Sequence, residues 1–190
     1  MLDLPLITAL NVTRPTDAVG IFKPHARRLD AEPVIISDAD AEIIVSVRFT
    51  SPVSVRRLMV IGGGEDNGAH HPNRMRCYVN NDTIDFNNIE AFRPIQEFNL
   101  PINVNGTVEL TTALQPFTNI TSLTFYFPSN HSDSDITMIR YIGMQGEHTH
   151  YRREAVDTVY EVLCNGQDII QPEDSNNTFS SSTAHHKHMH

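Results

Sequence analysis

The sequence predicts an all-β fold, a sandwich or a barrel, on three observations. Short segments with two-residue hydrophobic alternation recur between residues 43 and 142, which is the period of a strand with one buried face. Turn residues stand between these segments at close intervals. No convincing amphipathic helix separates the strands, as a βαβ fold would require.

The elements follow in order. Ile43, Val45, Val47 and Phe49 share one parity, while Ser46 and Arg48 interrupt the other face, so this is a half-buried strand. Thr50-Ser51-Pro52 reads as a turn. Val53 to Ile61 is a second strand, ending in Gly62-Gly63-Gly64. Those glycines read as a tight turn, because no Gly-Lys-Ser/Thr or GxGxxG pattern accompanies them to make a phosphate loop. Arg74 to Val79 is a third strand, and Ile95 to Leu100 and Val108 to Leu114 are weaker ones. Ile120 to Phe127 is rich in β-branched and aromatic residues and is stopped by Pro128. Ile136 to Ile142 is stopped by Gly143. Tyr151 to Leu163 stays open between helix, from Arg152-Arg153-Glu154-Ala155, and strand, from Val159-Tyr160-Glu161-Val162.

The 190 residues divide into three parts. Residues 1–18 mix apolar pairs with Pro5 and Pro15, show no clean period and read as an N-terminal arm. Residues 19–163 hold the strands and form the sandwich domain. Residues 164–190 are rich in Ser, Asn and His and are expected to be disordered, since they have little apolar surface to bury. The terminal His185-His186-Lys187-His188-x-His190 reads as a purification tag or a low-complexity end, with metal coordination by neutral imidazoles as the other reading.

Composition excludes several functions. Fourteen Lys and Arg stand against 23 Asp and Glu, for a net charge of −9. This argues against broad phosphate-backbone affinity and against a polybasic membrane anchor, and favours partners with positive surface. There is no run of about 18 apolar residues, so no helical membrane span is expected. Cys77 and Cys164 are the two cysteines. Without a CxxC they make neither a thioredoxin-type centre nor a Cys-rich zinc site, and they read as two reduced, buried thiols, with one long-loop disulfide as the other reading. The N-terminus lacks the basic and apolar regions of a signal peptide. The expectation is therefore an intracellular protein, cytoplasmic and extending to the nucleus, whose Asn-x-Ser/Thr sequons reflect composition.

In an antiparallel sandwich successive connections alternate between the two ends. Counted through these strands, residues 37–41, 62–73, 101–106 and 128–135 fall at one end. They bring Asp38, Asp40, Glu65, Asp66, Asp133 and Asp135 there, with His70, His71 and His131. Such an acidic end is a docking surface for a basic patch or simply a set of solvated loops. Calcium would need six to eight oxygens, and no EF-hand-like spacing supports it. The aspartates two residues apart have no visible nucleophile or His relay to make an enzyme.

Several of these segments resemble the PITH domain family. Asp38-Ala39-Asp40-Ala41-Glu42-Ile43-Ile44-Val45 is similar to its acidic entry to the first core strand, and Phe49-x-x-Pro52-Val53 to the turn after it. Glu65-Asp66-Asn67-Gly68 resembles its Gly/Asn-rich loop, Arg74-Met75-Arg76-Cys77-Tyr78-Val79-Asn80 its basic–apolar strand, and Asp85-Phe86 its aspartate–phenylalanine step. The most specific match runs from Asn119-Ile120-Thr121-Ser122-Leu123-Thr124 through Ser129-Asn130, then Asp135-Ile136-Thr137-x-Ile139-x-Tyr141-Ile142-x-x-x-Gly146. The resemblance implies a jelly-roll β-sandwich, galactose-binding-domain-like. In that family the domain also sits behind a thioredoxin domain, in thioredoxin-like protein 1, where it docks that protein onto the proteasome. The present chain resembles the standalone type. Its insert Ala69-His70-His71-Pro72-Asn73 and its His-rich tail depart from the family pattern.

The reading that results is a non-catalytic, monomeric interaction module that binds the proteasome, at its regulatory particle, with no cofactor and no bound metal. Its partner-binding residues would be Asp38, Asp40, Glu65, Asp66, Asn67, Asn130, Asp133 and Asp135. The alternative is a carbohydrate or small-ligand module. That is disfavoured by the absence of Trp and by Tyr and Phe falling mostly in or beside strands.

Overall fold

A computed structural model describes residues 6–63 and 68–148. Eight strands run in the order β1 Leu6–Leu10, β2 Ile35–Ile36, β3 Ile43–Gly62, β4 Arg74–Val79, β5 Gln96–Asn99, β6 Leu110–Thr111, β7 Ile120–Phe127 and β8 Met138–His148. Single 3-10 turns or short 3-10 segments lie at Pro15–Phe22, His25–Arg27 and Ile89–Ala91. All the strand pairings are antiparallel.

β3 organises the sandwich, because it belongs to both layers. Its first part pairs with β1, from Leu6 opposite Arg48 to Leu10 opposite Ile44, and with β7, from Ile43 opposite Phe127 to Arg48 opposite Ser122. Its second part pairs with β8, from Val53 opposite His148 to Gly62 opposite Ile139, and with β6 at Arg57 and Leu58. One layer is therefore β1-β3-β7-β4-β5 and the other β6-β3-β8-β2. The register shifts between Arg48 and Val53, which brackets the Thr50-Ser51-Pro52 expected as a turn. The chain does change direction there, but it stays extended, in the manner of a corner strand that passes from one sheet to the other.

Between the layers lies the core. Ile43, Val45, Val47 and Phe49 face inward from the first part of β3, as the parity predicts, and Val53, Val55, Leu58 and Val60 from the second. They meet Leu123, Phe125 and Phe127 of β7, Met75 and Cys77 of β4, and Ile139 and Ile142 of β8. Cys77 is a free, wholly buried thiol, and burial pushes its pKa up, so it is inert. Cys164 lies outside the described residues, as do Tyr151 to Leu163 and the tail.

Four expectations need correction. Residues 6–10 are not an arm but an edge strand of the first layer. Ile7 and Ala9 turn inward, while Leu6 and Leu10 stay exposed on the outer face, and those two leucines hide the period in the sequence. Pro15–Phe22 is a 3-10 segment that buries Ala18 and Ile21 completely; their spacing of three is the 3-10 repeat. The two weaker strands shrink to Gln96–Asn99 and Leu110–Thr111. β8 does not stop at Gly143 but continues to His148. A Cβ at Gly146 would collide with the Ser54 carbonyl, so that glycine allows close approach of two strands and does not mark a turn.

Candidate functional site

Backbone hydrogen bonds stitch the loops at one end of the sandwich together. Ser37 N donates to Thr137 O at 3.0 Å, and Asp38 N to Asn11 O at 3.2 Å. Met138 N donates to His70 O at 2.9 Å, His131 N to His71 O at 3.1 Å, and Leu100 N to Asn73 O at 2.8 Å. Pro72 and Asn130 form an isolated bridge. Connections 37–41, 68–73 and 128–137 thus meet, with Leu100 beside them. Asp38, Asp40, Asp133 and Asp135 are all exposed on them. None of the four forms an ion pair with another described residue. Glu65, Asp66 and Asn67 lie outside the described residues.

Asn130, expected on the binding surface, is instead fully buried. Its Nδ2 donates to Ser134 O at 2.8 Å and Ile136 O at 2.9 Å. Its Oδ1 accepts from Ser132 N at 3.0 Å and Ser134 N at 3.3 Å. The amide occupies the inside of the 130–137 loop and fixes its path, so no partner can reach it; Asp133 sits on this loop in the left-handed region, at φ 53°.

The three histidines of this end differ in setting. His70 lies with Nδ1 3.0 Å from Ile136 O, and His131 places Nε2 2.8 Å from Leu100 O. His71 is fully buried. Its Nδ1 is 2.6 Å from Pro72 O, which assigns the proton to Nδ1 and leaves Nε2 as an acceptor with no hydrogen bond. Burial is the largest influence on the ring and holds its pKa below the ordinary 6.5; the Pro72 and Val60 carbonyls oppose that shift in part. A Cβ at Gly62 would run into this ring, so the glycine at the end of β3 makes room for it.

A second feature of this end comes from a segment that loop parity places at the opposite end. The connection after β4 folds back over the outer face of the first layer, where Ile84 and Ile89 pack on Ile44, Tyr78 and Tyr126. This carries Asp85 and Phe86 up to Asn11, Asp40 and Glu42, and the residues line a groove of about 520 Å³. Phe86 stands edge-on to Tyr126, with centroids 6.5 Å apart. Tyr126 is hydrogen-bonded to Glu42, and burial, then that carboxylate, raises its pKa. Among the described residues no three His, Cys, Asp or Glu side chains are placed to hold a metal ion.

Comparisons with known proteins agree with this architecture. Solved structures share the fold at low sequence identity. The CBM32-1 and CBM32-2 domains of Clostridium perfringens ZmpB in complex with GalNAc align with a TM-score of 0.54 at 13% identity, over 76% of this chain and 34% of that one. The F5/8 type C domain of a Bacteroides fragilis protein aligns at 0.51 and 10%, over 75% and 91%. These likenesses define the class: a galactose-binding-like jelly-roll sandwich. The PITH domain model matches residues 1–163. The PITH domain-containing protein 1 of Dictyostelium discoideum is 38% identical over 84% of this chain and 77% of its own length. The human protein of that name is 32% identical over 91% and 77%. The chain belongs to the PITH domain family. These relatives are named for the domain and not as enzymes.

Proposed function

We propose that the chain is a non-catalytic interaction module that docks as a monomer on the proteasome, at its regulatory particle, in the cytoplasm and nucleus. Membership in the PITH domain family supports the reading. The observation that carries it is the loop end: exposed Asp38, Asp40, Asp133 and Asp135 with no ion-pair partner among the described residues, on backbone pinned by hydrogen bonds. A fixed array of unpaired carboxylates steers and orients a basic partner surface, and contributes more to specificity and encounter rate than to raw affinity.

Affinity purification from the protein's own cells at low salt, read by quantitative mass spectrometry, tests this. Proteasome subunits are expected well above control, and their absence overturns the reading. The triple variant Asp38→Lys, Asp133→Lys, Asp135→Lys is expected to lower capture about tenfold; unchanged capture moves the interface elsewhere. A carbohydrate-binding module is the second reading. It is favoured by the solved neighbour in complex with GalNAc and by the exposed Phe86 ring beside Asn87.

A further inference from the structure

We propose that the groove between Leu10, Asn11, Asp40, Glu42, Asp85 and Phe86 holds a basic, extended segment of a protein partner, seating a lysine or arginine side chain. The inference rests on the reading above only in taking the partner to be a protein.

Charge is the first argument. Three carboxylates line the groove and no basic residue does. The nearby Arg76, 5.7 Å over the Tyr126 ring, is already paired with Glu90 at 3.2 Å and Glu97 at 3.4 Å. The carboxylates are also held in place. Asp40 Oδ1 accepts from Asn11 Nδ2 at 2.7 Å and Glu42 N at 2.9 Å. Asp85 Oδ1 accepts from Asn87 N at 2.9 Å and Asn88 N at 3.1 Å. Each leaves Oδ2 for a ligand. A neutral sugar would leave these charges uncompensated, whereas a cationic donor makes charge-assisted hydrogen bonds to them.

Shape is the second. Among the described residues no three His, Cys, Asp or Glu side chains are placed to hold a metal ion, and a cation carried on a long stem suits a groove that is part acidic and part apolar. Leu10, at 39% exposed, and Phe86, at 37%, supply apolar surface for that stem, and the ring face adds a cation–π contact. The groove opens at the end of β1, which among the described residues pairs on one side only, with β3, so an extended chain can lie along its outer edge.

The probe is a capped synthetic octapeptide with one arginine and one lysine flanked by leucines, titrated into the ¹⁵N-labelled full chain at low salt. The expected result is saturable shifts of the Asn11, Asp40, Phe86 and Asn87 amides, and none with a peptide carrying glutamine at both basic positions. Asp40→Asn with Asp85→Asn keeps both acceptor oxygens and removes two charges; it is expected to weaken binding about fivefold. Phe86→Ala is expected to weaken it about threefold. Glu32→Gln with Glu147→Gln, two exposed acids outside the groove and the loop end, makes the same change in net charge and is expected to leave binding unchanged. Three results overturn the proposal: no shifts with the basic peptide, equal weakening by the two double variants, or the same amides moving as strongly with N-acetylgalactosamine. Proteasome capture is a separate readout, so a failure of that reading leaves the peptide result standing, and the reverse.

Discussion

The strands and the loop end of this molecule handle charge in opposite ways. On β3 and β4 every outward arginine that forms an ion pair has its acid nearby: Arg48 with Asp82 at 2.7 Å, Arg57 with Glu109 at 2.8 Å, Arg74 with Glu97 at 2.9 Å, and Arg76 with Glu90 and Glu97. At the loop end Asp38, Asp40, Asp133 and Asp135 have none among the described residues. The difference teaches that one surface keeps its carboxylates free of ion pairs with other described residues, and that surface is supported by polar groups buried beneath it, Asn130 among them.

The largest expected effect is at that support. Asn130→Ala removes a buried amide that satisfies several groups of the 130–137 loop, and should cost about 3 kcal/mol in urea unfolding. Amide exchange at Ser132 and Ser134 should speed up while the β3 and β4 ion pairs keep their geometry. If stability is unchanged, the loop is not organised by this residue.

His71 comes next. Its folded pKa lies below the ordinary 6.5, so between the two values the unfolded chain binds more protons. Its contribution is then fully present above about pH 7 and is lost as pH falls through 6.5 towards the depressed folded value. Thermal melts from pH 8 to pH 5 should show this loss, and His71→Gln should flatten it in that window. An equal slope in the variant assigns the titration to another group.

The smallest effects contrast the two surfaces directly. Arg57→Gln should cost less than about 1 kcal/mol and the cost should fade in high salt, since the pair is half exposed. Asp38→Asn with Asp133→Asn should change stability by less than about 0.5 kcal/mol, with no loss on adding salt, because no pair is broken. Chemical denaturation at two ionic strengths separates them.

The legible parts of the sequence were those whose two faces differ chemically. β4 and β7 have their observed bounds, Arg74–Val79 and Ile120–Phe127, because turn residues close both strands. β1 was illegible because its outward residues are leucines as well, and β2 because it is two residues long. Loop parity brought the connections that carry Asp38, Asp40, Asp133 and Asp135 together, since a corner strand returns the chain to the same end as a turn does. The same parity leaves Asp85 and Phe86 out of this end, because it assumes that each connection stays at its own end. Only the packing of Ile84 and Ile89 on Tyr126 and its neighbours reveals the fold-back. Asn130 stands in a family motif beside acidic residues and looks like a surface ligand; a polar residue in a loop gives no sign in sequence of which way it points.

The passage of β3 through both layers has a mechanical consequence. A sandwich whose layers are joined only by loops can lose one layer while the other persists. Here a single strand of twenty residues supplies ladder hydrogen bonds to each, so peeling β8 from Val60 and peeling β7 from Val45 strain the same continuous backbone at Ser51-Pro52. The two layers are therefore expected to unfold as one cooperative unit, with fraying confined to the edge strands β1, β5, β6 and β2.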